Sequence, residues 1–284
     1  MMKTIGWMSG LIGVVLISQS VMALPTTEAV QPSSIAGRWQ GTFNDKYPMS
    51  FLFSPEGKLV MVFGMNGAEP TVLAGTTVNY KVDATTKPMH LDITIPDAKE
   101  PVLTIADLPD PQTLQIQMSD TNPGKPRPTK FTDQTKMQKV SDRAIEPLDA
   151  AKFTQAAQSS EAEGRIVMQA LAQSALFSTV ESGKFPTTLE ELGLPTNNTA
   201  NYRYQLQTQP KQITIIARPK KANLKSYISV VVTGTERKID FATTTVCQSI
   251  RPSLFAPPLP RLGSPFAPND SRAVCGIGSE AVKF

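Results

Sequence analysis

The chain has 284 residues, 28 basic against 24 acidic side chains, a formal charge of +4, one His and two Cys. So small an excess of positive charge does not point to a nucleic-acid partner, which needs clustered cations for phosphate. A single histidine, His90, and two cysteines leave no zinc ligand set and no pair of histidines for catalysis. The length allows one large domain or two ordinary ones.

Lys3 opens a short positive region, followed by an apolar run from Ile5 to Ile17 and then Val21-Met22-Ala23. This order predicts a secretory signal peptide over residues 1–23, cut between Ala23 and Leu24. Gly6, Gly10, Gly13, Ser18, Gln19 and Ser20 dilute the stretch as a bilayer-spanning anchor. The expected location is therefore periplasmic or secreted, with no stable membrane anchor once the signal is removed. In an oxidising compartment Cys247 and Cys275 read as a disulfide. They enclose Pro252, Pro257, Pro258, Pro260, Pro265 and Pro268, so the closed loop has little regular structure of its own. Chain-entropy arithmetic puts the stabilisation at about 3–4 kcal/mol.

Residues 24–34 read as a linker, and a β-rich domain follows over 35–141. Gly37–Phe43, Met49–Phe53, Lys58–Phe63, Thr77–Val82, His90–Ile95, Leu103–Ile105 and Thr113–Met118 are short strands, with turn signals about every ten residues. Ser54-Pro55-Glu56-Gly57 is a hairpin turn. Leu91, Ile93 and Ile95 alternate with His90, Asp92 and Thr94, which predicts one buried and one wet face. No segment of helical period intervenes, so a small antiparallel barrel or sandwich is expected. Trp39 reads as a core residue of the barrel floor, Asp83 as turn chemistry beside Lys87-Pro88, and His90 as a solvated strand residue.

The Gly37-Arg38-Trp39 opening resembles the first strand of lipocalin-like barrels. Tyr80–Ile93 and Gly124-Lys125-Pro126-Arg127-Pro128-Thr129-Lys130-Phe131 resemble an uncharacterised bacterial lipocalin-like family, over about residues 35–141. The resemblance implies a β-barrel and carries no catalytic residues.

A charged, Pro-interrupted linker spans 142–152, and a second domain spans 153–284. Ser160-x-x-Glu163 has the capping-box pattern. Ile166, Val167, Ala170, Leu171, Ser174 and Phe177 then recur at helical spacing, and Gly183 is the expected stop. Thr188-x-x-Glu191 predicts a short second helix closed by Gly193. Tyr202–Leu206, Gln212–Ile216, Tyr227–Val232 and Arg237–Phe241 read as an antiparallel meander, with Gly234-Thr235 in its last hairpin. The fold class expected for the whole chain is α+β: an N-terminal antiparallel barrel, then a long helix with a meander.

The second half resembles the type IV pilin-like G/H family, found mainly in cyanobacteria. The carrying residues are Ser160–Gly164, the Gly183–Leu194 block GKFPTTLEELGL, Asn201-Tyr202-x-Tyr204, and the segments around Cys247 and Cys275. The resemblance implies a pilin-like globular head with a cysteine-closed loop. In the place of the pilin's apolar helix, residues 142–163 carry Asp142, Arg143, Glu146, Asp149, Lys152, Glu161 and Glu163. One such charge at a bilayer centre costs at least about 2.5 kcal/mol, so a filament subunit is not expected.

Gly276-Ile277-Gly278-Ser279-Glu280-Ala281 matches a dinucleotide fingerprint by letter only, at the chain end and without a βαβ unit. Arg218, Lys220, Lys221 and Lys225 are the densest basic group and read as a solvated turn. Glu190-Glu191 suits a helix start. No catalytic residue, metal ligand or cofactor is expected. The functional expectation is an exported, non-enzymatic binding or interaction protein whose partner is a protein or a small apolar ligand. The alternative is a periplasmic hydrolase with a carboxylate site in the barrel mouth.

Overall fold

Eight strands fill the first half of the chain, each pairing antiparallel with the next: β1 (Gly37–Phe43), β2 (Tyr47–Phe53), β3 (Lys58–Met65), β4 (Val72–Asp83), β5 (Met89–Thr94), β6 (Val102–Asp110), β7 (Thr113–Gln117) and β8 (Gln134–Ser141). The computed structural model describes residues 35–65, 67–143, 160–236, 238–264 and 273–284. The expected signal segment with its Ala23–Leu24 junction, the expected 24–34 linker, positions 144–152 and Arg237 lie outside the described residues, as do Pro265 and Pro268.

All neighbouring pairs are antiparallel, and β8 returns to β1, with Gln40 opposite Gln138 and Gly41 opposite Met137. Eight strands closed in this way leave an interior just wide enough for side chains to fill. Trp39, Phe51, Phe53, Leu59, Leu91 and Leu114 fill it, all buried. The two polar tips inside find partners at once: the Trp39 indole donates to the Ile35 carbonyl at 2.9 Å, and the Tyr80 hydroxyl to the Ser54 carbonyl at 2.8 Å. Ser54–Gly57 forms the expected turn, with Gly57 at φ 79°.

The second half contributes α1 (Ser160–Ser182) and a meander of β9 (Tyr202–Gln209), β10 (Gln212–Pro219), β11 (Tyr227–Glu236) and β12 (Ile239–Ser249). The fold is α+β. The meander is continuous with the barrel: β12 pairs antiparallel with the first part of β4, Thr245 opposite Val72 and Ala242 opposite Gly75. Strand β4 therefore carries β3 on one side and, on the other, first β12 and then β5.

Helix α1 lies between these two surfaces. Leu52, Val60, Val62 and Leu73 on the outer wall of the barrel belong to the same buried cluster as Leu171, Leu176 and, from the meander, Ile213 and Val231. The sequence spacing predicts one apolar stripe through Ile166, Val167, Ala170, Leu171, Ser174 and Phe177. The helix instead buries Val167, Met168, Leu171, Ala172, Ala175, Leu176 and Phe177, while Ile166, Ala170 and Ser174 are only half-buried. A helix covered by two layers has no single apolar face, so the stripe is wider and rotated from the expected one. Its opening turn is held tightly. A side chain at Gly164 would overlap the Tyr202 ring and lie 2.7 Å from that of Tyr227. The Glu163 carboxylate, expected to cap the helix, accepts hydrogen bonds from the Thr199 hydroxyl and from the Asn201 amide (3.1 Å) and side chain (2.6 Å).

Gly183 ends α1 at φ 69°, its amide donating to the Thr179 carbonyl at 2.9 Å. Two local expectations need correction. Thr188–Gly193 is a pair of hydrogen-bonded turns rather than a helix: Gly193 at φ 87° brings the Leu194 amide back to the Leu189 carbonyl after a single turn. Gly234 lies inside β11 opposite Phe241, not in the hairpin turn, because the Phe241 ring rests on it and would lie 2.6 Å from a Cβ there.

After β12 come β13 (Arg261–Leu262), β14 (Ala273–Val274) and β15 (Ser279–Ala281), the last pairing with the end of β12. Cys247 and Cys275 are joined, with Cα atoms 5.8 Å apart. The Phe284 amide donates to the Pro70 carbonyl at 2.7 Å, so the end of the chain is fixed to the barrel.

Candidate functional site

The residues picked out in the sequence do not meet at one place. Trp39 is in the barrel core. The Asp83 carboxylate accepts from the Thr85 amide (2.9 Å) and hydroxyl (2.6 Å), which holds its pKa below the usual value and makes it turn chemistry. His90 is half-buried opposite Asp83 on the β4–β5 pair. Glu191 accepts from the Thr187 amide and hydroxyl at 2.8 and 3.0 Å, and its pKa is lowered for that reason. Arg127, in the stretch that carried the barrel resemblance, donates to the carbonyls of Leu91 and Thr104 and pairs with Asp92, fastening the β7–β8 connection across β5 and β6.

Among the described residues the one buried carboxylate is Glu163, and it lies on α1, outside the barrel. Burial also pushes the Tyr204 hydroxyl pKa well above its ordinary value, close to Glu163 and Thr199. That group stays protonated, and its ring packs against Tyr202.

A groove of about 620 Å³ opens where the two halves meet. Thr77 of β4 supplies one wall, and Thr179, Val180 and Gly183 at the end of α1 the second. Thr233, Thr235, Asp240 and Phe241 of the β11–β12 hairpin form the third, and Lys211 stands at the rim. Each wall is fixed by its own bonds. The Thr77 hydroxyl donates to the Val180 carbonyl at 2.6 Å, capping an end carbonyl of α1 and tying the helix to the barrel. The Thr76 hydroxyl donates to the Asp240 carbonyl at 2.8 Å, and the Thr235 hydroxyl to the Asp240 carboxylate at 2.6 Å. At the hairpin tip, Lys238 pairs with Asp97 of the barrel at 3.3 Å.

The groove continues into hollows of about 430 and 580 Å³ that share Thr233 with it. Its lining combines hydroxyls, the Asp240 carboxylate, the Phe241 ring and one cation. Hydroxyls already donating to carbonyls retain acceptor lone pairs, so the site can receive hydrogen bonds while an apolar face rests on the ring. None of the sequence candidates lies here.

An α+β chain with a closed eight-stranded barrel, one long helix and a disulfide-closed tail is the class this architecture defines. Within it, residues 161–275 match the family described as type IV pilin-like G and H, a stretch covering nearly all of α1, the meander and both cysteines. No curated protein and no solved structure matches the chain.

Proposed function

We propose that this chain is an exported, non-enzymatic binding or interaction protein, acting in the periplasm or outside the cell without a cofactor and not itself built into a filament. The observation that carries the reading is the junctional groove: a large hollow whose walls come from both halves and whose polar groups are hydroxyls, the Asp240 carboxylate and one lysine. Its chemistry suits a ligand with hydrogen-bond donors on one side and an apolar face on the other, such as a protein segment or a small amphipathic molecule. One observation favours a role outside a filament: helix α1 is spent on packing between two layers.

The test is native mass spectrometry of the exported protein, beside a Thr233→Trp variant that fills the groove. A mass carried by the parent and absent from the variant is the expected result; equal spectra, with no bound mass in either, would refute the groove as a site. Export and filament status are read separately, by fractionation. The reading expects the chain in the periplasm or medium and absent from sheared filaments.

A further inference from the structure

At the end of the meander opposite the groove, the Pro-rich segment carries side chains that ordinary folding would hide. Phe255 is 83% exposed and Ile277 97%, with Ile250 and Leu254 about half exposed. These are not loose tips. The Ser253 amide donates to the Leu224 carbonyl at 3.0 Å, the Ser226 hydroxyl to the Phe255 carbonyl at 2.6 Å, and the Ile250 amide to the Gly278 carbonyl at 3.0 Å. The Cys247–Cys275 bond fixes the base. Pro258 lies so close over Gly276 that a Cβ there would sit 2.5 Å from its ring. The backbone is held in place while the apolar side chains project into water, at a hydrophobic cost that contact with an apolar medium would relieve.

The flanking charge is positive. The connection between β10 and β11, against which Ser253 is bonded, carries exposed Lys220 and Lys221, and Arg251 is exposed on the Pro-rich segment itself. Lys225 on the same connection is paired at 3.3 Å with Glu280, whose pKa is lowered by its bonds from Gln248 and Lys225. Protruding apolar tips among lysines and arginines are the arrangement that enters a headgroup layer: the tips reach the acyl boundary and the cations meet anionic lipid.

We infer that this end of the molecule docks reversibly on an anionic lipid bilayer through Phe255, Ile277, Ile250 and Leu254, held by Lys220, Lys221 and Arg251. The surface is separate from the groove, and the inference stands whether or not the groove binds anything.

The experiment is co-sedimentation of the full chain with phosphatidylcholine vesicles containing about one third phosphatidylglycerol, beside vesicles of phosphatidylcholine alone. Binding to the anionic vesicles, weakened by salt, is expected. The triple change Lys220→Glu, Lys221→Glu, Arg251→Glu should cost about a hundredfold in affinity, and Phe255→Ser with Ile277→Ser at least about tenfold. All five positions are exposed, and an unchanged unfolding midpoint shows that each variant is folded. Hydrogen exchange in the presence of vesicles should show protection gained at 250–262 and 275–281. That local readout separates this surface from the apolar run near the N-terminus, which parent and variants share. No binding by the parent, equal binding by parent and variants, or protection gained elsewhere would each overturn the inference. So would association of the chain with itself, without vesicles, that the same substitutions abolish, which would assign the surface to a protein contact.

Discussion

Strands β3 and β5 belong to one barrel and face one interior, yet they are built differently. Leu59-Val60-Met61-Val62-Phe63 is apolar at every position, whereas His90–Thr94 alternates. Leu59, Met61 and Phe63 of β3 and Leu91 and Ile93 of β5 pack into the barrel in the same way. The difference lies on the outside, where Val60 and Val62 pack in the cluster with α1 while Thr94 meets water. A strand buried on both faces loses its alternation. The barrel wall is thus also the floor of the second core, and the two halves of the chain share that core.

The most disruptive way to break this comparison is to put one charge on each outer wall. Val60→Asp leaves an unpaired carboxylate under α1 and should cost about 3–5 kcal/mol by urea denaturation, whereas Thr94→Asp on the wet face should stay within about 0.5 kcal/mol. The disulfide closes a loop only in the second half. If the core is shared, Cys247→Ser with Cys275→Ser should lower stability by about 3 kcal/mol, and the loss should also reach Trp39 fluorescence inside the barrel. Gly164→Ala pushes a methyl into the Tyr202 and Tyr227 rings and should cost about 1–3 kcal/mol, read as a lower thermal midpoint.

The smallest effect concerns Glu181, in the last turn of α1. Its pKa is raised by partial burial, with Glu56 adding to the shift and Lys58 opposing it. Ionisation is therefore less favourable in the folded chain. The penalty is absent below the unfolded carboxylate range and grows as pH rises through the raised value. Glu181→Gln should stabilise by less than about 0.5 kcal/mol near neutral pH, since solvent screens a half-exposed group. The gain should vanish below about pH 4, as followed by urea midpoints across pH.

Much of the barrel was legible because its strands carry their own signal. Period-two alternation, Ser54–Gly57 and the spacing of turns are all local. Strand β8 gave no such signal: Gln134–Ser141 is largely polar, with Thr135 and Met137 its buried residues, and it is a strand because β1 and β7 supply partners on both sides. The stripe on α1 was misplaced for a related reason, since a one-sided periodicity cannot describe a helix between two layers. The non-alternating run of β3 carried the missing information, because a strand apolar at every position must be covered twice. Gly234 resembled a turn residue and proved to be a seat for an aromatic ring, a distinction that depends on Phe241 across the hairpin. The groove was not legible at all. Thr77, Thr179 and Thr233 come from three elements and Lys211 from the β9–β10 turn, and the pairing of β12 with β4 brings them together.

Native-state hydrogen exchange across a urea series tests the shared core most directly, with peptides from α1 and β12 followed beside peptides from β5 to β8. One core predicts that the most protected amides of both sets lose protection with the same free energy and the same urea dependence. If α1 and β12 open at lower urea while β5 to β8 stay fully protected, the halves are independent and the account is wrong.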